Sequence, residues 1–283
     1  MLVQFDCCRC VLKQAVELSE KYVDTEARHW EMFDDIVRHL LDHRHHASPP
    51  ELAEQAFATV VKFSGVRDCY AKEKAESTRL AWELWKTLDL EKLSFDQRLL
   101  LAIGGNAIDF GVHPDFDLST AQPLVLAALD QPYDQVAAQE LAHRMASARK
   151  IFYILDNCGE AVFDRLLINL YPEKITLGVR GGAILNDVTR AELAESGLGE
   201  FPVCDTGRAA PGVPYPNISP DFRREMESAD LVIAKGQGNF ESLTHTGFVA
   251  APIYYLFKAK CPVVANLLDK NINDIAIIGK NLE

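Results

Sequence analysis

Apolar residues recur at helical spacing through the first half of the chain. In segment 10–22 they fall at Val11, Leu12, Ala15, Val16 and Leu18, and in 26–43 at Trp30, Phe33, Ile36, Val37 and Leu40. Residues three and four apart share a helix face, so both segments predict amphipathic helices. Ser48-Pro49-Pro50-Glu51 sets a cap, two prolines and an acid ahead of Leu52. That is a helix-start signal for 51–63, which Ser64-Gly65 closes. Segments 71–88 and 95–108 predict further helices.

The pattern changes near Ser147. Short apolar runs rich in branched and aromatic residues stand at 151–156, 174–179, 230–235, 262–267 and 275–279, and each predicts a buried strand. Helix-length spacers between strands imply parallel crossovers. The predicted fold is α/β: a helical N-terminal region, 1–146, packed on a Rossmann-like three-layer α/β/α domain, 147–283, with a mainly parallel sheet. The Pro- and Gly-rich segment 205–220 predicts a long loop near the functional site.

Charge narrows the function classes. The 283 residues carry a net charge of -12, which argues against nucleic-acid binding. No apolar run approaches the roughly 18 residues of a membrane helix, and MLVQFDCCRC lacks a basic and then apolar leader. Cytoplasmic residence is therefore the expectation, and nothing in the pattern sets an oligomeric state. Seven cysteines, an odd number, argue against a disulfide framework. Cys7, Cys8 and Cys10 contain one C-x-x-C without a second, which favours buried thiols over zinc or redox chemistry. His39 and His43, with His45 and His46 beyond, read as a solvated basic helix end rather than a zinc site.

Ligands of open parallel sheets bind beyond the carboxyl ends of the strands. Three predicted strands end in polar, glycine-rich turns. The first carries Asp156, Asn157 and Glu160; the second Arg180, Asn186 and Asp187; the third Lys235, Gly236, Asn239 and Glu241. Two carboxylates and an amide carbonyl suit a hard divalent cation, leaving coordination places for water and a phosphate oxygen. On the residues alone, Asp156 and Asp187 serve equally well as helix caps. Lys235 before Gly-Gln-Gly is the natural phosphate partner, with Gly236 and Asn239 beside it. Neither a P-loop pattern nor a G-x-G-x-x-G fingerprint is present.

The strings DNCGE (156–160), VRGGAILNDVT (179–189) and KGQGNFE (235–241) closely resemble the damage-control phosphatases, long catalogued as domain of unknown function eighty-nine. SPPE (48–51), GGNAIDFG (104–111), KCPVVANL (260–267) and the N-terminal C-x-x-C extend the resemblance over nearly the whole chain. It is nearest to the small prokaryotic and archaeal branch. The resemblance implies a helical part on a Rossmann-like domain, and metal-dependent hydrolysis of small phosphorylated metabolites. It implies metal ligation by Asp156, Asn157 and Asp187, and phosphate binding by Lys235. Ala183 and Cys69 stand where the family often has proline, and 205–212 departs from its commoner wording. Those differences bear on loop shape and substrate choice.

The expected cofactor is a divalent cation: magnesium, manganese, nickel or cobalt. Asp156 and Asp187 are the expected catalytic acids, with base and covalent-nucleophile roles both open. Arg180, Asn106, Glu160 and Glu241 are expected to line the substrate site. Rival readings are an S-adenosylmethionine-dependent transferase and a non-catalytic metal- and phosphometabolite-binding sensor. The missing glycine fingerprint counts against the transferase.

Overall fold

Where the apolar spacing is helical, the chain is helical. The computed structural model describes residues 1–107, 118–246 and 251–282. Helices α1 (Phe5–Tyr22), α2 (Glu26–His43), α3 (Pro49–Ser64) and α4 (Ala71–Trp85) follow one another, then α5 (Phe95–Gly104), α6 (Leu118–Leu126) and α7 (Gln135–Ser147). The start at Ser48 holds: its backbone N–H donates to Glu51 Oε2 at 2.7 Å, and Gly65 ends α3 with φ 73°. The expected helix 95–108 ends at Gly104 and tightens into a 3-10 turn, Gly105–Ala107; Ile108 lies outside the described residues, as does the end of the 104–111 motif.

The sheet contains β1 (Ile151–Ile154), β2 (Ile175–Val179), β3 (Val203–Asp205), β4 (Leu231–Lys235), β5 (Ile253–Lys258) and β6 (Ile275–Lys280). Their spatial order is β3-β2-β1-β4-β5-β6, parallel throughout except for antiparallel β6. This is the doubly wound order, with the topological switch between β1 and β4. Helices α8 (Cys158–Ile168), α9 (Pro220–Ser228), α10 (Gln237–Thr246) and α11 (Pro262–Leu267) complete the layers. No helix among the described residues is long and apolar enough to cross a membrane.

The expected strand at 262–267 is a correction, since that segment is α11. A six-residue apolar run has no period of its own, and here Pro262 takes the first helical position behind an N-cap at Cys261. Ile253–Lys258 supplies the strand instead, and three-residue β3 adds an edge.

Strand residues alternate between two cores. Ile151, Tyr153, Ile175, Leu177 and Ile233 pack with Leu100 and Ile103 of α5, Leu141 and Met145 of α7, and Leu167 of α8. Phe152, Ile154, Val232 and Ala234 face Phe222 and Met226 of α9 and Phe240 of α10. The change from helices to strands falls where predicted, yet α5 and α7 belong to the sheet's own core. A separate cluster joins α1, α2 and α3, and it also takes in Ile184 from beyond β2.

Candidate active site

Strand β1 delivers Asp156 and Asn157 to the switch-point crevice, and β2 delivers Arg180. Asp187 sits in the turn that follows. Backbone bonds stitch the two turns together: Val188 N–H donates to Asp156 O at 2.8 Å, and Cys158 N–H to Asn186 O at 3.0 Å. Asn157 and Asp187 pair as an isolated antiparallel bridge. The two acids and the amide, 31 residues apart at their extremes, therefore share one corner. Asn186 contributes its carbonyl to this stitching.

Arg180 binds the acids together. It is 1% exposed, and its Nε donates to Asp187 Oδ2 at 2.6 Å while Nη2 donates to Asp156 Oδ1 at 3.1 Å. Nη1 donates to Asn239 Oδ1 at 2.9 Å, so the arginine expected at the substrate spends donors on the site itself. The guanidinium thus bridges the two buried carboxylates.

Lys235 also turns inward. Its ammonium is fully buried and donates to Ala102 O at 3.0 Å, Glu160 Oε1 at 2.5 Å and Asp164 Oδ1 at 2.6 Å. All three N–H bonds are used, leaving none for a phosphate in this arrangement. Glu160 and Asp164 reach it together because they lie one turn apart on α8. Burial alone would lower the ammonium's pKa, but Asp164 and Glu160 outweigh it and hold it above the ordinary range. Tyr153 Oη donates to Asp164 Oδ1 at 2.7 Å, whereas Asp164 Oδ2 has no partner among the described residues. Asp164 carried no signal of its own in the sequence, since an acid inside a helix is ordinarily solvated.

Asn106, 3% exposed, donates through Nδ2 to Glu160 Oε2 and to Asp156 Oδ2, the latter at 3.5 Å. It links the Lys235 network to the acid corner. Glu241 is buried near the same rim, accepting from Gln237 Nε2 at 2.8 Å. Gly236 has φ 78°, and a Cβ there would lie 2.0 Å from Asp156 Oδ2. The glycine is thus what lets that carboxylate lie against the start of α10. Its N–H is not free for an anion: it donates to Leu256 O at 3.1 Å, extending the sheet. The first-turn amides of α10 begin instead at Gln237.

Segment 205–220 does approach the site, since Cβ atoms added to Gly181 and Gly212 would strike Arg208 N and Gly238 O. His39 and His43 stack with ring centroids 4.0 Å apart on α2. Cys7 and Cys158 are buried, Cys8 is partly buried and Cys10 is exposed.

Burial lifts the site's acids. It raises Asp156 to about 6, with Glu160 adding and Arg180, Lys260 and Lys235 opposing. It raises Asp187 to about 7 against Arg180, with the Asp156 charge adding. Glu241 is likewise pushed up to about 7 by burial, against the Gln237 hydrogen bond. Among the described residues no three His, Cys, Asp or Glu side chains gather as a metal site. A cation here would take two carboxylates and an amide carbonyl. That donor set fits a hard divalent ion.

Comparison with known proteins identifies the family of the chain. Residues 3–275 match the model of the damage-control phosphatase ARMT1-like domain. An uncharacterized protein of Methanocaldococcus jannaschii is 32% identical, covering 97% of this chain and 94% of its own length. A damage-control phosphatase of Pyrococcus horikoshii is 32% identical over 95% of this chain and 94% of its own. The crystal structure of a DUF89 family protein from Pyrococcus horikoshii superposes with a TM-score of 0.87 at 30% identity, covering 98% of this chain and 99% of that one. With the family model matched over residues 3–275 and the fold superposing over 98% of the chain, the chain belongs to the damage-control phosphatase ARMT1-like domain family.

Proposed function

We propose that this protein is a divalent-metal-dependent phosphomonoester hydrolase acting on small phosphorylated metabolites. The meeting of Asp156, Asn157 and Asp187 in one buried corner carries the reading. Phosphatases among its relatives support the reaction class. A bound magnesium, manganese, nickel or cobalt ion would be held by these three residues and would neutralise charge on a phosphate oxygen.

The chain's own groups do the rest. The first-turn amides of α10, at Gln237, Gly238 and Asn239, bind the phosphate anion at a helix N-terminus. Asp156 is the more exposed of the two acids, at 8% against 3% for Asp187, and its Oδ2 lies against that same turn. We assign it the proton of the attacking water. The water oxygen bonds to phosphorus, the P–O ester bond breaks, and the leaving oxygen takes a proton from solvent. Arg180 and Asn239 fix the two acids in place. Lys235 anchors Glu160 and Asp164 behind them.

The test is phosphate release from a phosphometabolite panel with each cation, then after exhaustive chelation. Asp156→Ala and Asp187→Ala are expected to lose activity by at least about a hundredfold, the scale of a displaced catalytic group. Full turnover after chelation would refute the reading, and cation and phosphate binding without turnover would favour the sensor. Rapid acid quench of a single turnover on phosphorus-32-labelled substrate checks the role of Asp156. The label must appear as free phosphate and none on the protein, since a phosphoryl group held by Asp156 would make it a covalent nucleophile.

A further inference from the structure

Asp187 lies in a turn that belongs to no helix or strand. Leu185, two residues before it, holds φ 45°, a left-handed conformation that leucine keeps only where its surroundings enforce it. The surroundings come from the helical region, and they grip the turn at both ends. Upstream, Ile184 is buried in the cluster of α1, α2 and α3, with Leu185 packed against it. Downstream, the capping residue Glu192 is the anchor. Its Oε2 accepts from Thr189 N at 2.8 Å and from Thr189 Oγ1 at 2.6 Å. Its other oxygen, Oε1, accepts from Lys74 Nζ of α4 at 3.2 Å.

Lys74 is 2% exposed and also donates to Asp68 Oδ2 at 3.0 Å. Thr189 in turn bridges the Arg180 backbone, and Arg180 holds Asp187. A continuous series of contacts thus runs Lys74, Glu192, Thr189, Arg180, Asp187. We propose that Lys74 is a positioning residue for the metal-binding turn, setting the cation affinity of Asp187 through Glu192 and Thr189. This rests on the metal-dependent reading above. A buried ion pair is weak evidence of stabilisation, because an apolar pair of similar volume does as well. What the charges add is one fixed arrangement of the Thr189 cap, and with it of Asp187.

Two full-length variants test this. Lys74→Met removes the charge at similar length, and Glu192→Gln keeps the volume if the first variant folds poorly. Each is titrated with Mn2+, the free ion being read by electron paramagnetic resonance at a temperature where calorimetry shows full folding. We expect affinity to fall about 10- to 100-fold, the usual cost of losing a partner of a metal ligand. Turnover at saturating Mn2+ stays near wild type, and amide exchange across 184–190 quickens in the metal-free protein. A lowered Tm with wild-type Mn2+ affinity and exchange would overturn the proposal and leave Lys74 a structural tie. A wild type that takes up no Mn2+ would instead sink the functional reading. The exchange comparison then still decides the clamp, with unchanged protection at 184–190 refuting it.

Discussion

Gly236→Ala isolates the site's geometry from its charge. The new methyl would sit 2.0 Å from Asp156 Oδ2 and 2.1 Å from its Cγ, where real contacts essentially never fall under 3.0 Å. Either the carboxylate or the start of α10 must therefore move by about 1 Å, a displacement that by itself costs roughly a hundredfold in rate. The positive φ of 78° adds about 1–2 kcal/mol of backbone strain in an alanine. At roughly 2–4 °C per kcal/mol for a protein approaching this size, Tm should fall by only a few degrees. The variant is thus expected to fold and to fail. The assay is phosphate release as a function of Mn2+, beside calorimetry of the same preparation. Loss should persist at saturating Mn2+, since the displaced carboxylate is the assigned proton acceptor as well as a ligand. Wild-type turnover with a lowered Tm would refute the argument, because it would mean Asp156 has no fixed place to keep.

Lys235→Met leaves Glu160 and Asp164 buried without their cation, so it should destabilise the fold by about 3–5 kcal/mol in urea unfolding. An unchanged urea midpoint would show that the lysine is not the anchor described here. Glu241, raised by burial to about 7 from 4.5, favours the folded state most below its unfolded pKa. That contribution is lost as pH rises through about 7, and it is bounded by about 3 kcal/mol. Glu241→Gln should therefore flatten the stability profile between pH 5 and 8, and an unaltered slope would contradict it. Ile184→Ala removes a buried side chain from the α1–α3 cluster, at a cost of about 2–4 kcal/mol. It should also weaken Mn2+ binding, whereas a stability loss alone would separate the cluster from the turn.

The acid corner was legible because its chemistry sits at strand ends, where position along the chain maps directly onto position in space. Asp156, Asn157 and Arg180 follow β1 and β2, and doubly wound sheets send those ends to one crevice. Direction was harder to read. Lys235 ends β4 as expected, yet its side chain turns away from the α10 turn toward α8, because Glu160 and Asp164 stand there. Nothing local to 235 reveals that pair, for Asp164 is seventy-one residues away in sequence. The strand error has a different origin. PVVANL is too short for period to separate helix from strand, and Pro262 decides it only once Cys261 is seen to cap. The edge strand β3, three residues long, lies below what any pattern can signal.

The clamp changes what the helical region is for. Lys74 and the α1–α3 cluster stand on one side of a contact, and Ile184, Thr189 and Glu192 on the other, with Asp187 between them. Binding free energies coupled through one contact are reciprocal. If Lys74 tightens cation binding tenfold, a bound cation must tighten the Lys74–Glu192 contact by the same factor, about 1.4 kcal/mol. A cation lost from the corner would then loosen the helical region's hold on the turn, and a helical region pulled away would release the cation. A site carried by the sheet alone would have neither property. The strained backbone at Leu185 supports the coupled account, since a turn at ease in its own conformation would need no grip at both ends.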